Sequence, residues 1–171
     1  MSKKALIIIA QEGFQDKELD GTRNGLEAAG FSITLASIRA GACRGKFGGS
    51  EHAKIALKDV DVADYDRIAY IGGPGAGSLK DDPDALRIAQ ETVQAGKSLG
   101  AICIAPTILA AAGVLKGKKV TGWDDGEGTQ IRFIEQSGAT FTGESVTKDG
   151  LIVTGNGPEA AEEFGKVLTM I

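Results

Sequence analysis

The chain has 171 residues, of which 42% are hydrophobic and 25% charged, and this fits one globular domain with a sizeable core. A net charge of -4 and an aromatic content of 5% argue against nucleic-acid binding, which uses basic surfaces and aromatic stacking platforms. One histidine and two cysteines are too few for a zinc cluster or a disulfide framework. We therefore expect a protein of the reducing cytoplasm with no metal site.

The first apolar segment, residues 5–10, is too short to span a membrane and is followed by polar residues rather than a signal-peptide cleavage site. It is typical of a buried strand. The next helix is predicted from an N-cap at Asp16, apolar residues at helical spacing, and a stop at Gly30. Further strands are predicted at residues 31–37, 67–71, 98–103, 119–122 and 151–154. Further helices are predicted at residues 83–95, with Val93 turned inward, at 107–112, at 129–137 and after Pro158.

The glycine-rich segment at residues 39–58 breaks this alternation and predicts a hairpin or an edge strand, which we expect at a dimer interface. The regular alternation elsewhere predicts a single α/β domain over residues 1–171, a doubly wound parallel sheet with helices on both faces. Ligands bind such sheets at the carboxyl ends of the strands. Those ends lie at residues 11–15, 72–77, 103–106, 122–125 and 155–158.

Cys103 ends a predicted strand and directly precedes a helix, the position that a nucleophile elbow gives to its reactive side chain. The helix N-terminus favours a thiolate, and the backbone N–H of Ile104 points the same way and can hold an oxyanion. The alternative is a buried cysteine that only packs as a small apolar group.

Glu18 lies in the first turn of the first helix, just after the first strand. We expect that strand to neighbour the one ending at Cys103 in the sheet, so that the carboxyl group lies beside the thiol, where it can accept a hydrogen bond or act as a general base. Glu12 and Asp16 compete for this role. A glutamate in a first helical turn is also favoured by the helix dipole alone.

The glycine-rich turn at residues 72–77 has neither a following Gly-Lys-Ser/Thr nor a third glycine at Lys80, so it matches neither nucleotide-binding loop and predicts no cofactor. It is suited to bring one N–H to a site at Cys103. His52 is the only histidine and is expected on the surface, away from the strand ends, while Cys43 is expected to be exposed beside Arg44. Trp123 either walls a pocket or simply packs, and the acidic residues that follow it are expected to be solvated.

Four sequence segments resemble the ThiJ/PfpI superfamily across nearly the whole chain. They are Gly-Phe-Gln-Asp-Lys-Glu-Leu at residues 13–19, Ile-Gly-Gly at 71–73, Ala-Ile-Cys-Ile-Ala-Pro at 101–106, and Gly-Val-Leu-Lys-Gly-Lys-Lys-Val-Thr at 113–121. The resemblance implies a flavodoxin-like sandwich that forms homodimers or larger assemblies. It also implies a reactive Cys103, a hydrogen-bonding acid at Glu18, backbone donors at Gly73 and Ile104, and a substrate pocket at Gly72 and Trp123.

The chain departs from the superfamily where the histidines lie. The protease-like branch has histidine at the position of Ile104, which argues against peptidase activity, and the deglycase-like branch has one at the position of Trp123. Gln15 stands at a position where members of the superfamily commonly have a carboxylate. The resemblance implies cofactor-free chemistry on a small aldehyde or a glycated substrate, of the glyoxalase or deglycase type. The alternatives are a redox sensor with an oxidisable Cys103, a cysteine peptidase, and, by analogy of fold alone, a flavin-binding module.

Overall fold

A seven-stranded sheet forms the centre of the structure, a computed structural model that describes residues 2–171. In chain order the strands are β1 (Lys3–Ile8), β2 (Glu12–Phe14), β3 (Phe31–Ser37), β4 (Gly41–Gly45), β5 (Ser50–Ala53), β6 (Ile55–Ala56), β7 (Arg67–Tyr70), β8 (Ser98–Ile102), β9 (Lys119–Val120), β10 (Thr140–Phe141), β11 (Val146–Asp149) and β12 (Ile152–Gly155). The central sheet has the order β11-β12-β8-β7-β1-β3-β6. All its pairs are parallel except β11 with β12, as the alternating pattern predicts.

Five α-helices cover the two faces of this sheet. They are α1 (Asp16–Ala28), α2 (Pro83–Gln94), α3 (Pro106–Ala111), α4 (Thr129–Gln136) and α5 (Ala161–Thr169). Alternate residues of β1 point to opposite faces: Leu6 and Ile8 join the core under α2, α3 and α4, while Ala5 and Ile7 join the core under α1 and α5. This double burial explains why β1 is continuously aliphatic, and the predicted doubly wound α/β fold is confirmed.

Several local predictions need correction. Gln15, rather than Asp16, is the N-cap of α1, and its side-chain oxygen accepts the N–H of Glu18 at 3.1 Å. Val93 is exposed on α2, because the neighbouring Thr92 faces the core in its place. The Thr92 hydroxyl donates a hydrogen bond to the carbonyl oxygen of Ile88 (2.6 Å). Residues 74–81 form a 3-10 helix instead of only a tight turn. The strand predicted at 119–122 is shortened to β9, which pairs with β10 outside the central sheet.

Residues 39–58 contain the predicted hairpin, formed by β4 and β5. This hairpin joins β2 in a small separate sheet. Its turn is attached to α1 through Asp16, whose carboxylate accepts the N–H groups of Phe47 (2.9 Å) and Gly49 (2.8 Å). This attachment fixes the hairpin turn near the carboxyl ends of the central strands. Among residues 2–171, no helix is long and apolar enough to cross a membrane.

Candidate active site

Cys103 occupies a strained turn directly after β8. Its φ of 66° is the only positive value at a non-glycine residue in the part of the chain that the structure describes. Such a left-handed conformation persists where the surroundings hold it, often at functional sites. Here the N–H of Cys103 donates to the carbonyl oxygen of Gly155 (2.9 Å), and its carbonyl oxygen accepts the N–H of Trp123 (2.8 Å). The turn has the elbow geometry expected from the sequence.

Glu18 is completely buried in the first turn of α1. Its Oε1 accepts the N–H of Gly72 at 2.9 Å, whereas its Oε2 has no hydrogen-bond partner of regular geometry among the described residues. Burial raises the pKa of Glu18 to about 8, against the smaller lowering effects of hydrogen bonds with the Cys103 side chain and the Gly72 backbone. The carboxyl group is therefore protonated near neutral pH and can donate a hydrogen bond.

Glu18 and Cys103 meet by a different route from the one that we expected. The central strands that precede them, β1 and β8, are not neighbours, because β7 lies between them. The loop after β7 joins the pair: a Cβ atom at Gly72 would lie 2.7 Å from both the Cβ of Cys103 and the Oε1 of Glu18. Gly72 is thus buried between the two side chains, and, unlike Trp123, it does not line the pocket in front of Cys103.

Two backbone donors face the sulfur of Cys103. Burial is the main cause that raises the pKa of the thiol, followed by the charge of Glu18 and the hydrogen bond with it. The N–H groups of Gly73 and Ile104 lower this pKa, and neither donates to another acceptor in the described chain. The charge of Glu18 and a hydrogen bond that it accepts oppose the thiolate only when Glu18 is ionised. Below about pH 8 the carboxyl group is protonated and can donate a hydrogen bond to the sulfur instead. The predicted backbone donors and Glu18 thus all gather at Cys103.

A pocket of about 180 Å³ gives access to this group. Its lining residues are Gln15, Lys46, Gly73, Pro74, Cys103, Ile104, Trp123 and Pro158. Trp123 lines the pocket, which agrees with one of its two interpretations from the sequence. Its side chain is 39% exposed, whereas Cys103 is only 5% exposed. Lys46 was missed in the sequence because it comes from the β4–β5 hairpin, far from every predicted strand end.

The remaining candidates lie away from the pocket. His52 is exposed on β5 and does not line it. Cys43 is buried, which corrects the expectation of an exposed thiol, because it faces the core beneath β4 and takes a hydrogen bond from the side-chain nitrogen of Gln11 (3.4 Å). Asp124 and Asp125 are exposed and accept backbone N–H groups of their own loop.

The chain matches the model of the DJ-1/PfpI family over residues 3–170. It is 29% identical to a deglycase from Thermococcus kodakarensis over 157 residues, or 90% of each chain. It is 30% identical to a Bacillus subtilis protein whose name suggests a cysteine protease, over 97% of this chain and 96% of that one. It is 27% identical to a glutathione-independent glyoxalase from Caenorhabditis elegans, over 95% and 84% of the two chains.

Solved structures show the same architecture. A ThiJ/PfpI domain protein from Brachyspira murdochii superposes with a TM-score of 0.92 at 25% sequence identity, covering 99% of this chain and 95% of that one. The family model spans nearly every residue that carries the fold and the site described above. The chain therefore belongs to the DJ-1/PfpI family.

Proposed function

We propose that this protein processes small reactive aldehydes, free or attached to an amine, through the thiol of Cys103. The observation that carries the proposal is the arrangement around Cys103: a strained elbow, a buried and protonated Glu18, and two free backbone N–H groups facing the sulfur. A thiol nucleophile, a proton carrier and an oxyanion site are the groups that addition to a carbonyl requires. The deglycase and glyoxalase names of two relatives support the same chemistry.

The reaction begins with addition of Cys103 to the aldehyde carbon. A bond forms between Sγ and that carbon, and the thiol proton ends on the former aldehyde oxygen, which the N–H groups of Gly73 and Ile104 stabilise as negative charge develops. With a 2-oxoaldehyde such as methylglyoxal, the ionised form of Glu18, the minor form below its pKa of about 8, then takes the proton from the first carbon and returns it to the second. The hydroxyl proton on the first carbon passes to the oxygen on the second, which gives a thioester of a 2-hydroxy acid. Water hydrolyses the thioester and restores the thiol.

The site lacks an imidazole to share this proton transfer. Ile104 and Trp123 stand at the two positions where relatives of this superfamily have histidine, and His52 is remote. We therefore expect slow turnover, with Glu18 as the main proton carrier. We expect no peptidase activity, since amide hydrolysis needs one base, usually a histidine, that takes the thiol proton and then protonates the leaving amine. A cavity of about 390 Å³ shares Trp123 and Pro158 with the Cys103 pocket and offers space for the amine part of a glycated substrate.

Lactate production from methylglyoxal tests this proposal. Wild-type protein should form lactate, Cys103→Ala should form none, and Cys43→Ala should keep wild-type activity because that buried thiol does not line the pocket. Equal rates for wild type and Cys103→Ala would show that the chemistry does not use this cysteine. No lactate from any of the three proteins would contradict the enzyme assignment.

A redox sensor is the second candidate, and the same two N–H donors favour it. Oxidation of Cys103 to the sulfinate would place two anionic oxygens where Gly73, Ile104 and protonated Glu18 can donate hydrogen bonds. A stable gain of two oxygen atoms on Cys103 under mild peroxide, together with no lactate production, would support this function over the enzyme.

The proposed setting is a cofactor-free homodimer or larger homo-oligomer in the cytoplasm. Both cysteines are free thiols, which suits a reducing compartment. A net charge of -4 gives no basis for nucleic-acid partners. We therefore take a small aldehyde or a glycated molecule as the partner of the site.

A further inference from the structure

One cation in the Cys103 pocket has no part in the reaction proposed above. Lys46 is the only charged residue that lines the pocket, and within residues 2–171 its ammonium group forms no ion pair and no hydrogen bond. The ammonium group lies over the ring of Phe47, 5.4 Å from its centroid. The pocket therefore has at its exposed wall a positive charge that no acid of the described chain pairs with.

The fold holds Lys46 at this place through its backbone. The N–H of Lys46 donates to the carbonyl oxygen of Phe14 (2.8 Å), just before α1. The Asp16 carboxylate fixes the rest of the turn through two backbone N–H groups. A Cβ atom at Gly45 would overlap that carboxylate, so the close approach requires glycine there. The Asp16 carboxylate, which adjoins this turn, is thus already engaged by the hairpin backbone.

The other polar groups of the pocket are hydrogen-bond donors as well. The N–H groups of Gly73 and Ile104 have no acceptor other than the sulfur of Cys103 among the described residues. The side-chain oxygen of Gln15 caps α1, and its side-chain nitrogen has no acceptor among the described residues. The nearest buried acid, Glu18, is protonated at neutral pH. A pocket with one ammonium group, several N–H donors and no ionised carboxylate is complementary to an anion.

We propose that Lys46 binds the carboxylate of the substrate, so that the pocket selects small 2-oxoaldehydes that carry an acid group. The carboxylate lies against the Lys46 ammonium and the Gln15 amide nitrogen, and the aldehyde carbon faces Cys103. Addition forms the bond between Sγ and carbon and moves the thiol proton to the former carbonyl oxygen, with no external oxidant or reductant. This inference deepens the proposed function by naming a substrate class, and it depends on that function only for the reactivity of Cys103.

Two alkylating reagents of nearly equal size test the inference without any turnover. Iodoacetate carries a carboxylate and iodoacetamide is neutral, and mass spectrometry of the Cys103 peptide gives the rate for each. Lys46→Met should slow iodoacetate by roughly three- to fivefold, the scale of a partly exposed ion pair, and leave iodoacetamide unchanged. High salt should reduce this difference, because the charges are partly screened.

Lys80→Met is the matched control. The Lys80 ammonium also lies over an aromatic ring, 5.7 Å from the centroid of Phe133, but Lys80 does not line the pocket, so neither rate should change. An equal change of both rates in Lys46→Met, or no change in either, would overturn the inference, as would a wild-type thiol that neither reagent reaches. A selective loss of iodoacetate reactivity in a protein that makes no lactate would support anion binding and contradict only the enzyme assignment.

Discussion

The protonated state of Glu18 makes the stability of the protein depend on pH in a way that one substitution removes. The pKa of Glu18 is about 8 in the folded protein, above its ordinary value of 4.5, so the folded state holds this proton more tightly than the unfolded state. The resulting stabilisation is complete below pH 4.5 and is lost as the pH rises through about 8. Glu18→Gln has nearly the same shape but nothing to ionise, and its amide oxygen can still accept the Gly72 N–H.

The expected size follows from the two pKa values. At about 1.4 kcal/mol for each pH unit, their separation corresponds to on the order of 5 kcal/mol over the whole window, of which roughly 3 kcal/mol falls between pH 5 and pH 8. Other titrating groups are common to the two proteins. The unfolding free energy of Glu18→Gln minus that of wild type should therefore increase by about 3 kcal/mol from pH 5 to pH 8.

Urea denaturation at several pH values and one fixed protein concentration measures this difference. Glu27→Gln is the control: Glu27 is exposed on the same helix, so its side chain loses little hydration on folding and its profile should parallel that of wild type. A difference between Glu18→Gln and wild type that stays flat from pH 5 to pH 8 would refute the reasoning, because Glu18 would then be ionised in the folded protein throughout.

Three further predictions concern the surroundings of the pair. Gly72→Ala places a methyl group against Cys103 and Glu18 and should cost about 1–3 kcal/mol of stability and slow Cys103 alkylation, whereas Gly77→Ala, with open space around it, should do neither. Trp123→His places an imidazole where the superfamily resemblance implies a histidine in the deglycase-like branch, and it should raise lactate production. An unchanged rate would show that an imidazole at this position does not assist proton transfer. Sedimentation at micromolar concentration should show a dimer formed through residues 39–58, and a monomer would contradict this.

Local pattern was enough to predict the fold and the elbow at Cys103. A continuous apolar strand followed by a helix with proline in its first turn determines that geometry within about ten residues of chain. The position of Gly72 between the pair was not predictable in this way, because it depends on β7 lying between β1 and β8. Sheet order is set by the packing of the whole chain and leaves no local signal.

The position of the β4–β5 hairpin also depends on contacts that the local sequence does not show. Its glycines predicted a turn, but the sequence does not show that the Asp16 carboxylate holds this turn against α1 and so brings Lys46 to the pocket. Cys43 was placed on the surface because its neighbours in the sequence are polar or small. In the structure it lies on the side of β4 that faces the core, and the register of a short strand in a glycine-rich segment is weakly encoded.

The central claim is that Glu18 and Cys103 act as one unit, and the iodoacetamide rate of Cys103 against pH tests it most directly. Wild type and Glu18→Gln, which both offer a donor to the thiolate, should react alike near pH 7 and separate above about pH 8, where ionised Glu18 opposes the thiolate. Glu18→Leu, which has no donor, should react about tenfold more slowly near pH 7, the effect of losing one hydrogen bond to a charged group. Three superimposable profiles would show that Glu18 does not act on Cys103, and the active site described here would be wrong.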